Sequence, residues 1–447
     1  MRPHYGIGFD FGTTNSSIAI ASSDVKGETR LATFAFAGAL TESFRSVLYL
    51  EQLKEAGRAT LKSWTGPQAI EEYLAADQKG RLVQSLKSFL SSRTLLATEV
   101  FGRRVVLEDL ISVMLRDVRH AAEKQFGVPI THAVAGRPVR FVGADTPADS
   151  DYAVSRLGAA FKKAGFEEAT FEMEPAGAAY FYESTLDHDE LILIGDFGGG
   201  TSDFSVLRVG PRMLDRQGSV LSNDGVGLAG DAFDARLVRN VVAPVLGAGS
   251  MMRSGVDKVL PVPNWFYLKL ERWHHLSFLK SKETLDMLET VKRQAFEPAG
   301  IEGLLHLVRG DLGYYLHQSV QKAKADLSHH ELTILHYSDG LVEINEPVRR
   351  DDFERWIAPE LAEIELAVDR SLASAGVDRR DIERVFLTGG TSFVPAVRRI
   401  FETRFGATRI RAGNEFTSVA RGLALRSLAL QSPATTSNAT NAFGSNI

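Results

Sequence analysis

Residues 191–209 read LILIGDFGGGTSDFSVLRV, and the fold turns on this stretch. Apolar residues lead into Asp196, three glycines follow at Gly198, Gly199 and Gly200, and Thr201 and Asp203 precede a second apolar run. The alternation through Leu191 and Leu193, and again through Phe204 and Val206, bounded by glycine, predicts a tight β-hairpin. Glycines there permit backbone geometry that a Cβ forbids, and successive uncovered N–H groups form an anion cradle. An aspartate closing the first strand supplies an oxygen ligand for a divalent ion. The stretch predicts a place for Mg²⁺ and phosphate.

A glycine turn alone is a weak signal, because GGGT is common in plain turns. A second copy strengthens it. Residues 7–21, IGFDFGTTNSSIAIA, repeat the plan: apolar approach, Asp10, Gly12, hydroxyls at Thr13 and Thr14, then Asn15 and a departing strand through Ile18 and Ile20. Two copies of one plan predict two related lobes offering facing phosphate hairpins.

The chain of 447 residues is long enough for two or more domains and a large core. With 44% hydrophobic and 24% charged residues it has an ordinary globular composition. A net charge of −5 gives no basic footprint, which argues against nucleic acid or an anionic membrane as partner. Cys is absent, so disulfides, thiolate metal sites and cysteine catalysis are excluded. The N-terminal residues run straight into a strand with no apolar leader, and no run of roughly eighteen apolar residues occurs. A cytoplasmic protein is expected.

Elsewhere, periodicity predicts a strand over 44–50, helices over 68–89 around Lys87, an amphipathic helix over 108–126, a strand over 130–136 and a helix over 151–164. Glu174 precedes Pro175 and a small-residue helix over 176–182, where its plainer reading is a helix cap. A strand pair is expected over 212–221. The 241–301 region, with Trp265, Phe266, Tyr267 and Trp273 among basic residues, reads as an added helical layer. Helices are expected over 310–327, 351–376, from Pro395 and over 418–430, with strands at 331–335 and up to Pro347. The strand 385–387 runs into Gly389, Gly390 and Thr391 ahead of the Pro395 helix, a third phosphate- or nucleoside-compatible turn. The string GVGLAG at 225–230 satisfies G-x-G-x-x-G, but no clean buried strand is expected before it and no acidic residue follows at the dinucleotide spacing. The DFG strings and APE at 358–360 lack the other protein-kinase motifs. Residues 432–447 form a polar tail expected to be disordered.

Taken in order, DFGTTNS, ME-PAGAAYFY, DFGGGTSDFSV, GDAFD and LTGGTSFVP resemble, over about residues 5–430, the nucleotide-binding domain of the heat shock protein 70 (DnaK-type) family, closest to the short YegD-type chaperone-like members. The resemblance implies an α/β, actin-like ATPase fold: two lobes, each with a ribonuclease-H-like domain around a mixed sheet, with ATP or ADP and Mg²⁺ in the cleft. It implies lobe I at 1–188 with a returning helix at 412–431, and lobe II at 189–411 with an outer subdomain at about 230–360. Asp10 and Asp196 match the aspartates that hold hydrated Mg²⁺. Thr13, Thr14, Gly199, Gly200 and Thr201 match the phosphate cradle, with Gly12, Asn15 and Gly198 in the same loops. Lys87 falls where a lysine neutralises the γ-phosphate, and Glu174 and Asp203 match the carboxylates that place the attacking water. Gly230, Lys324, Ser328, Gly389 and Gly390, with Thr391 beside them, match nucleoside and phosphate contacts.

Several positions depart from the family pattern. Ala325 and Phe393 stand where two arginines sandwich adenine, Gln321 replaces a nucleoside-contacting glutamate, Ala229 replaces a glycine, and Phe416 stands where an aspartate is usual. A catalytic floor with a remodelled adenine wall is expected. The family's hydrophobic linker and β-sandwich peptide-binding domain are not expected in this chain, which leaves an unfolded client or co-chaperone as a partner only in outline. A chaperone-like ATPase that hydrolyses slowly as a nucleotide switch is the expected function. An actin-like filament-forming ATPase and a small-molecule kinase of the same superfold are the alternatives.

Overall fold

The computed structural model describes residues 5–24, 28–36, 38–55, 58–76, 80–183, 186–210, 220–254, 258–272, 279–412 and 419–431. Most of the strand pair expected at 212–221, together with Trp273, Phe416 and the polar tail, lies outside the described residues.

Both expected hairpins form. Tyr5–Phe11 pairs antiparallel with Asn15–Ser22, and Glu190–Phe197 pairs antiparallel with Ser202–Val209. Each hairpin is the middle of a mixed sheet. In the first, the spatial order is Glu168–Met173, His132–Arg137, Tyr5–Phe11, Asn15–Ser22, Thr29–Leu31. In the second it is Val220–Val226, Ser202–Val209, Glu190–Phe197, Arg384–Thr388, Ile410–Ala412. Numbered along the chain, both sheets have the same order, three antiparallel strands followed by two parallel ones on the other side of the first. The duplication read from two short loops therefore extends to whole α/β halves. Each half also receives its extra layer at the same point, after its third strand. The first half inserts the small sheet of Val47–Glu55, Arg58–Thr65 and Arg81–Gln84 with helix Gly66–Ala75; the second inserts the helices and hairpins from Gly230 to Trp356.

The central strand of the second sheet is buried on both faces. Leu191, Leu193, Phe204 and Val206 enter one core, while Ile192, Ile194 and Leu207 enter another with Ala178 and Ala179 of helix Glu174–Glu183. The first sheet is treated reciprocally. Ile7, Phe9, Phe11 and Ile18 join one core, and the opposite face, Gly6, Gly8, Ala19 and Ala21, takes the last helix, Val419–Leu430. Contact there is backbone to backbone: a Cβ on Gly8 would lie 2.1 Å from the Ala420 carbonyl oxygen. The final helix of each half thus lies on the other half's sheet, and the two helices meet where Gly177 packs under Leu423.

Several expectations change. Residues 68–89 are not all helical, because Arg81–Gln84 pairs with Val47–Leu50 as a strand and Lys87 sits on a single 3₁₀ turn, Leu86–Phe89. Helix Pro147–Lys163 starts earlier than read, fixed by reciprocal capping between Thr146 and Asp149. The long helix over 351–376 is two, Arg350–Trp356 and Ala358–Ala375, because Pro359 cannot continue the first. A strand, Val220–Val226, does lead into the GVGLAG loop, and helix Gly230–Leu237 follows it, but the strand is an antiparallel outer one and builds no parallel crossover. The 241–301 layer is mainly helical, with Phe266 and Tyr267 buried, plus a small hairpin of Met251–Arg253 and Val259–Pro261 that periodicity does not show.

Candidate nucleotide site

The two hairpin tips face each other. A Cβ placed on Gly199 would sit 2.5 Å from Thr14 Oγ1, so the loops 12–14 and 198–201 approach to within a side chain's reach. Between them opens a cavity of about 700 Å³. Asp10, Gly12, Thr13, Thr14, Asn15 and Lys87 line it from the first half, with Glu174 on the crossing helix. Asp196, Gly198, Gly199, Gly200, Thr201, Asp203, Gly230, Lys324, Ser328, Gly389, Gly390 and Thr391 line it from the second. Every candidate residue from the sequence borders this one space.

Local hydrogen bonds set the loops. Ser46, buried behind the first loop, donates from Oγ to the Gly12 carbonyl at 2.7 Å and from its backbone N–H to the Thr14 carbonyl at 2.8 Å. In the second loop the Gly198 N–H donates to the Thr201 carbonyl at 2.9 Å, and the Asp231 N–H donates to Gly199 at 2.8 Å. Gly389 has φ +82°, and a Cβ there would lie 2.0 Å from the Phe197 carbonyl oxygen, so only glycine brings this turn against the hairpin.

The floor is acidic. Asp196 and Asp203 are directly opposed across the hairpin, an unfavourable register for two like charges. Burial first, then the charges of Asp196 and Glu174, push the Asp203 carboxyl up to about 7. Burial and then Glu174 raise Asp10 to about 7 as well, against the lowering effect of Lys87. Asp196 is also raised by burial, partly offset by the hydrogen bond that Thr388 Oγ1 donates to its Oδ1 at 2.5 Å. Lys87 Nζ donates to Glu174 Oε1 at 2.5 Å, so Glu174, the first residue of helix Glu174–Glu183, is an ion-pair partner in the floor. Lys324 Nζ pairs with Asp234 at 2.7 Å and donates to the Gly230 carbonyl at 3.1 Å, holding the helix Gly230–Leu237 against Gly313–His329. Ser328 Oγ bonds back to the Lys324 carbonyl of its own helix.

These residues fit a hard divalent cation with phosphate. The donors are carboxylate and hydroxyl oxygens, the class that suits Mg²⁺, and the carboxyls are raised first by burial and then by one another's charges, against the lowering effect of Lys87. Thr388, Ser46, Asp231 and Asp234 were not singled out in the sequence. Thr388 precedes Gly389 and the two aspartates lie in GDAFD, so their motifs carried a signal; Ser46 lay in a stretch that reads only as strand. At the other end of the cavity Gln321 and Ala325 are lining residues, whereas Phe393 is 49% exposed and turns to solvent.

Helix Gly313–His329 links this wall to a clasp between the halves. Gln321, Ala325 and Ser328 face the cavity, and Tyr314, on the same face, packs into a cluster with Tyr49, Trp64 and Tyr73 of the first half. Beside it, Tyr73 Oη donates to Asp311 Oδ2 at 2.5 Å, and Lys280 Nζ lies 3.1 Å from the same carboxylate's other oxygen.

Two α/β halves of identical strand order, closing on one acidic, glycine-lined cavity, make the two-lobe actin-like ATPase fold. The family model described as Hsp70 protein matches residues 60–247 and 313–439, well over half the chain, and the chain belongs to the Hsp70 family. It is 24% identical over 439 residues to a chaperone protein dnaK of Phaeodactylum tricornutum (strain CCAP 1055/1), covering 94% of this chain and 60% of that protein. A chaperone protein dnaK of Cyanidium caldarium is 24% identical over 320 residues, covering 71% of this chain and 42% of that protein. The chain therefore spans about 60% or less of the length of these relatives. Among the described residues no helix is long and apolar enough to cross a membrane.

Proposed function

We propose that this protein is a chaperone-like ATPase that binds ATP with Mg²⁺ between its halves and hydrolyses it slowly, acting as a nucleotide-driven conformational switch. One observation carries the reading: Asp10 and Asp196, on duplicated hairpins whose tips come within a side chain of touching, open onto the same cavity. Asp10 and Asp196 would hold the hydrated ion. Bound there, Mg²⁺ would neutralise phosphate charge. Thr13, Thr14 and the 198–201 loop would cradle the phosphates through backbone N–H and hydroxyl groups. Lys87 would leave Glu174 for the terminal phosphate, freeing that carboxylate to orient the attacking water. Asp203, whose Oδ2 accepts from Thr201 Oγ1 at 3.0 Å, would take a proton from that water, a task suited to a carboxyl brought near neutrality. Phosphoryl transfer depends mainly on such positioning and charge compensation.

At the base wall, Ala325 and an outward Phe393 offer no cationic sandwich, so base preference is relaxed. The partner class is an unfolded client or a co-chaperone. We place lobe I at 1–188 with 412–431 and lobe II at 189–411. The test is steady-state ATP hydrolysis by the wild type and Asp196→Asn, with and without unfolded protein, alongside calorimetry of ATP and GTP. Removing one positioned charge from the floor is expected to lower turnover by roughly 100-fold or more. A wild type with no affinity for any nucleotide in the presence of Mg²⁺ would overturn the reading.

A further inference from the structure

The opposite ends of the same strands carry a second constellation. Strands Glu190–Phe197 and Arg384–Thr388 run parallel with Ile192 beside Arg384, so Glu190 and Glu383 emerge together where Asp196 is farthest away. The strand separates the two places by about 20 Å. His188 precedes the first strand and turns its ring into the same space. One ligand atom each from His188, Glu190 and Glu383 lies within 4.8 Å of the others, and this is the one such group of three among the described residues.

Each of the three is held by a further partner that leaves a donor atom for the centre. Asp187 Oδ1 engages His188 Nδ1 at 2.6 Å, which directs Nε2 towards Glu190 Oε1 at 3.3 Å. Tyr182 Oη donates to the other Glu190 oxygen at 2.7 Å. The Leu191 N–H donates to Glu383 Oε1 at 3.2 Å. An imidazole whose second nitrogen is fixed by a carboxylate is the usual arrangement of a metal-bound histidine, because it sets the ring's orientation and raises its basicity. Glu190 is also only 3% exposed, and a carboxylate so deeply placed needs compensating positive charge. The nearby Arg384 donates from Nη1 to the Glu383 main-chain carbonyl at 3.0 Å and also interacts with Tyr182, whose hydroxyl bonds Glu190. His188 and Glu383 are exposed, so an ion can reach the centre and complete its coordination with water.

We propose that His188, Glu190 and Glu383 form a binding site for a divalent transition-metal ion of the Zn²⁺ class, for which an imidazole with two carboxylates is a suitable donor set. The ion would tie the segment entering the second sheet to the loop before its fourth strand, outside the nucleotide cavity. The site does not depend on the nucleotide reading.

The experiment uses the full chain with excess Mg²⁺, titrated with Zn²⁺ by calorimetry and with Co²⁺ by visible absorption. One equivalent is expected to bind, with a Co²⁺ ligand-field band. His188→Ala and the exposed Glu383→Gln are each expected to remove that binding, and Asp196→Asn to leave it unchanged. Tyr182→Phe, which keeps every ligand but frees Glu190, is expected to weaken it about 10-fold. Stoichiometric binding that survives both His188→Ala and Glu383→Gln, or that disappears in Asp196→Asn, overturns the proposal, as does a wild type that binds no equivalent. If His188→Ala fails to fold, Glu383→Gln decides alone.

Discussion

Replacing Asp203 by asparagine should make the Mg²⁺-free protein more stable, and more so at alkaline pH. Asp203 opposes Asp196 directly across the hairpin and has its carboxyl raised from 3.8 to about 7. A carboxyl raised in the folded state costs stability when ionised. The cost is absent below 3.8, grows as pH climbs between the two values, and is complete above about 7. Each pH unit of separation is worth about 1.4 kcal/mol, which caps the whole cost near 4 kcal/mol. Protein atoms crowd Asp203, yet part of its surface opens onto the cavity, where solvent screens it, and part of the rise comes from the charges of Asp196 and Glu174. About 1–2 kcal/mol is therefore expected between about pH 5.5 and pH 8. Asparagine keeps the oxygen that accepts from Thr201 and loses only the charge. The assay is urea denaturation in EDTA at those two pH values for both proteins. The reasoning fails if the asparagine variant is no more stable than the wild type at the alkaline pH, or if its advantage is the same at both.

Gly8→Val should separate the last helix from the first sheet, since even a Cβ would lie 2.1 Å from the Ala420 carbonyl oxygen; a loss of about 3 kcal/mol is expected in the same denaturation assay. Ser46→Ala removes the buried hydroxyl that holds the Gly12 carbonyl, and should weaken ATP binding about 5-fold by calorimetry and lower stability by about 1 kcal/mol in urea denaturation. Tyr73→Phe deletes the hydrogen bond to Asp311 without disturbing the ring packing. Release of a fluorescent nucleotide in stopped flow should quicken about 5-fold, and an unchanged rate would show that the clasp does not limit escape.

What the sequence made legible was local. The hairpins could be read because an aspartate, glycines and hydroxyls at fixed short spacing carry both the turn and its chemistry, and the repeat of that plan announced two halves. Helix Leu107–Phe126 begins one residue before the expected start and ends where expected, because its apolar stripe and the following Gly127 lie in one continuous segment. Strand Arg81–Gln84 was not legible, since all four residues are half-buried and no alternation marks them; only the neighbouring Val47–Leu50 makes them a strand. The break at Ile357 was written in Pro359 but masked by continuous apolar periodicity on either side. The ion pair of Lys87 with Glu174 joins positions far apart in the chain, and a lysine on a short turn gives no local hint of its partner.

The exchange of final helices bears on how the molecule comes into being. The strip of Gly6, Gly8, Ala19 and Ala21 is covered by residues 419–430, which are made long after it. An emerging amino-terminal half must wait with that strip bare until residues 419–430 have been made. Two fragments divided between residues 183 and 190 would each hold a helix that belongs on the other's sheet, so they should find their proper shape only when mixed.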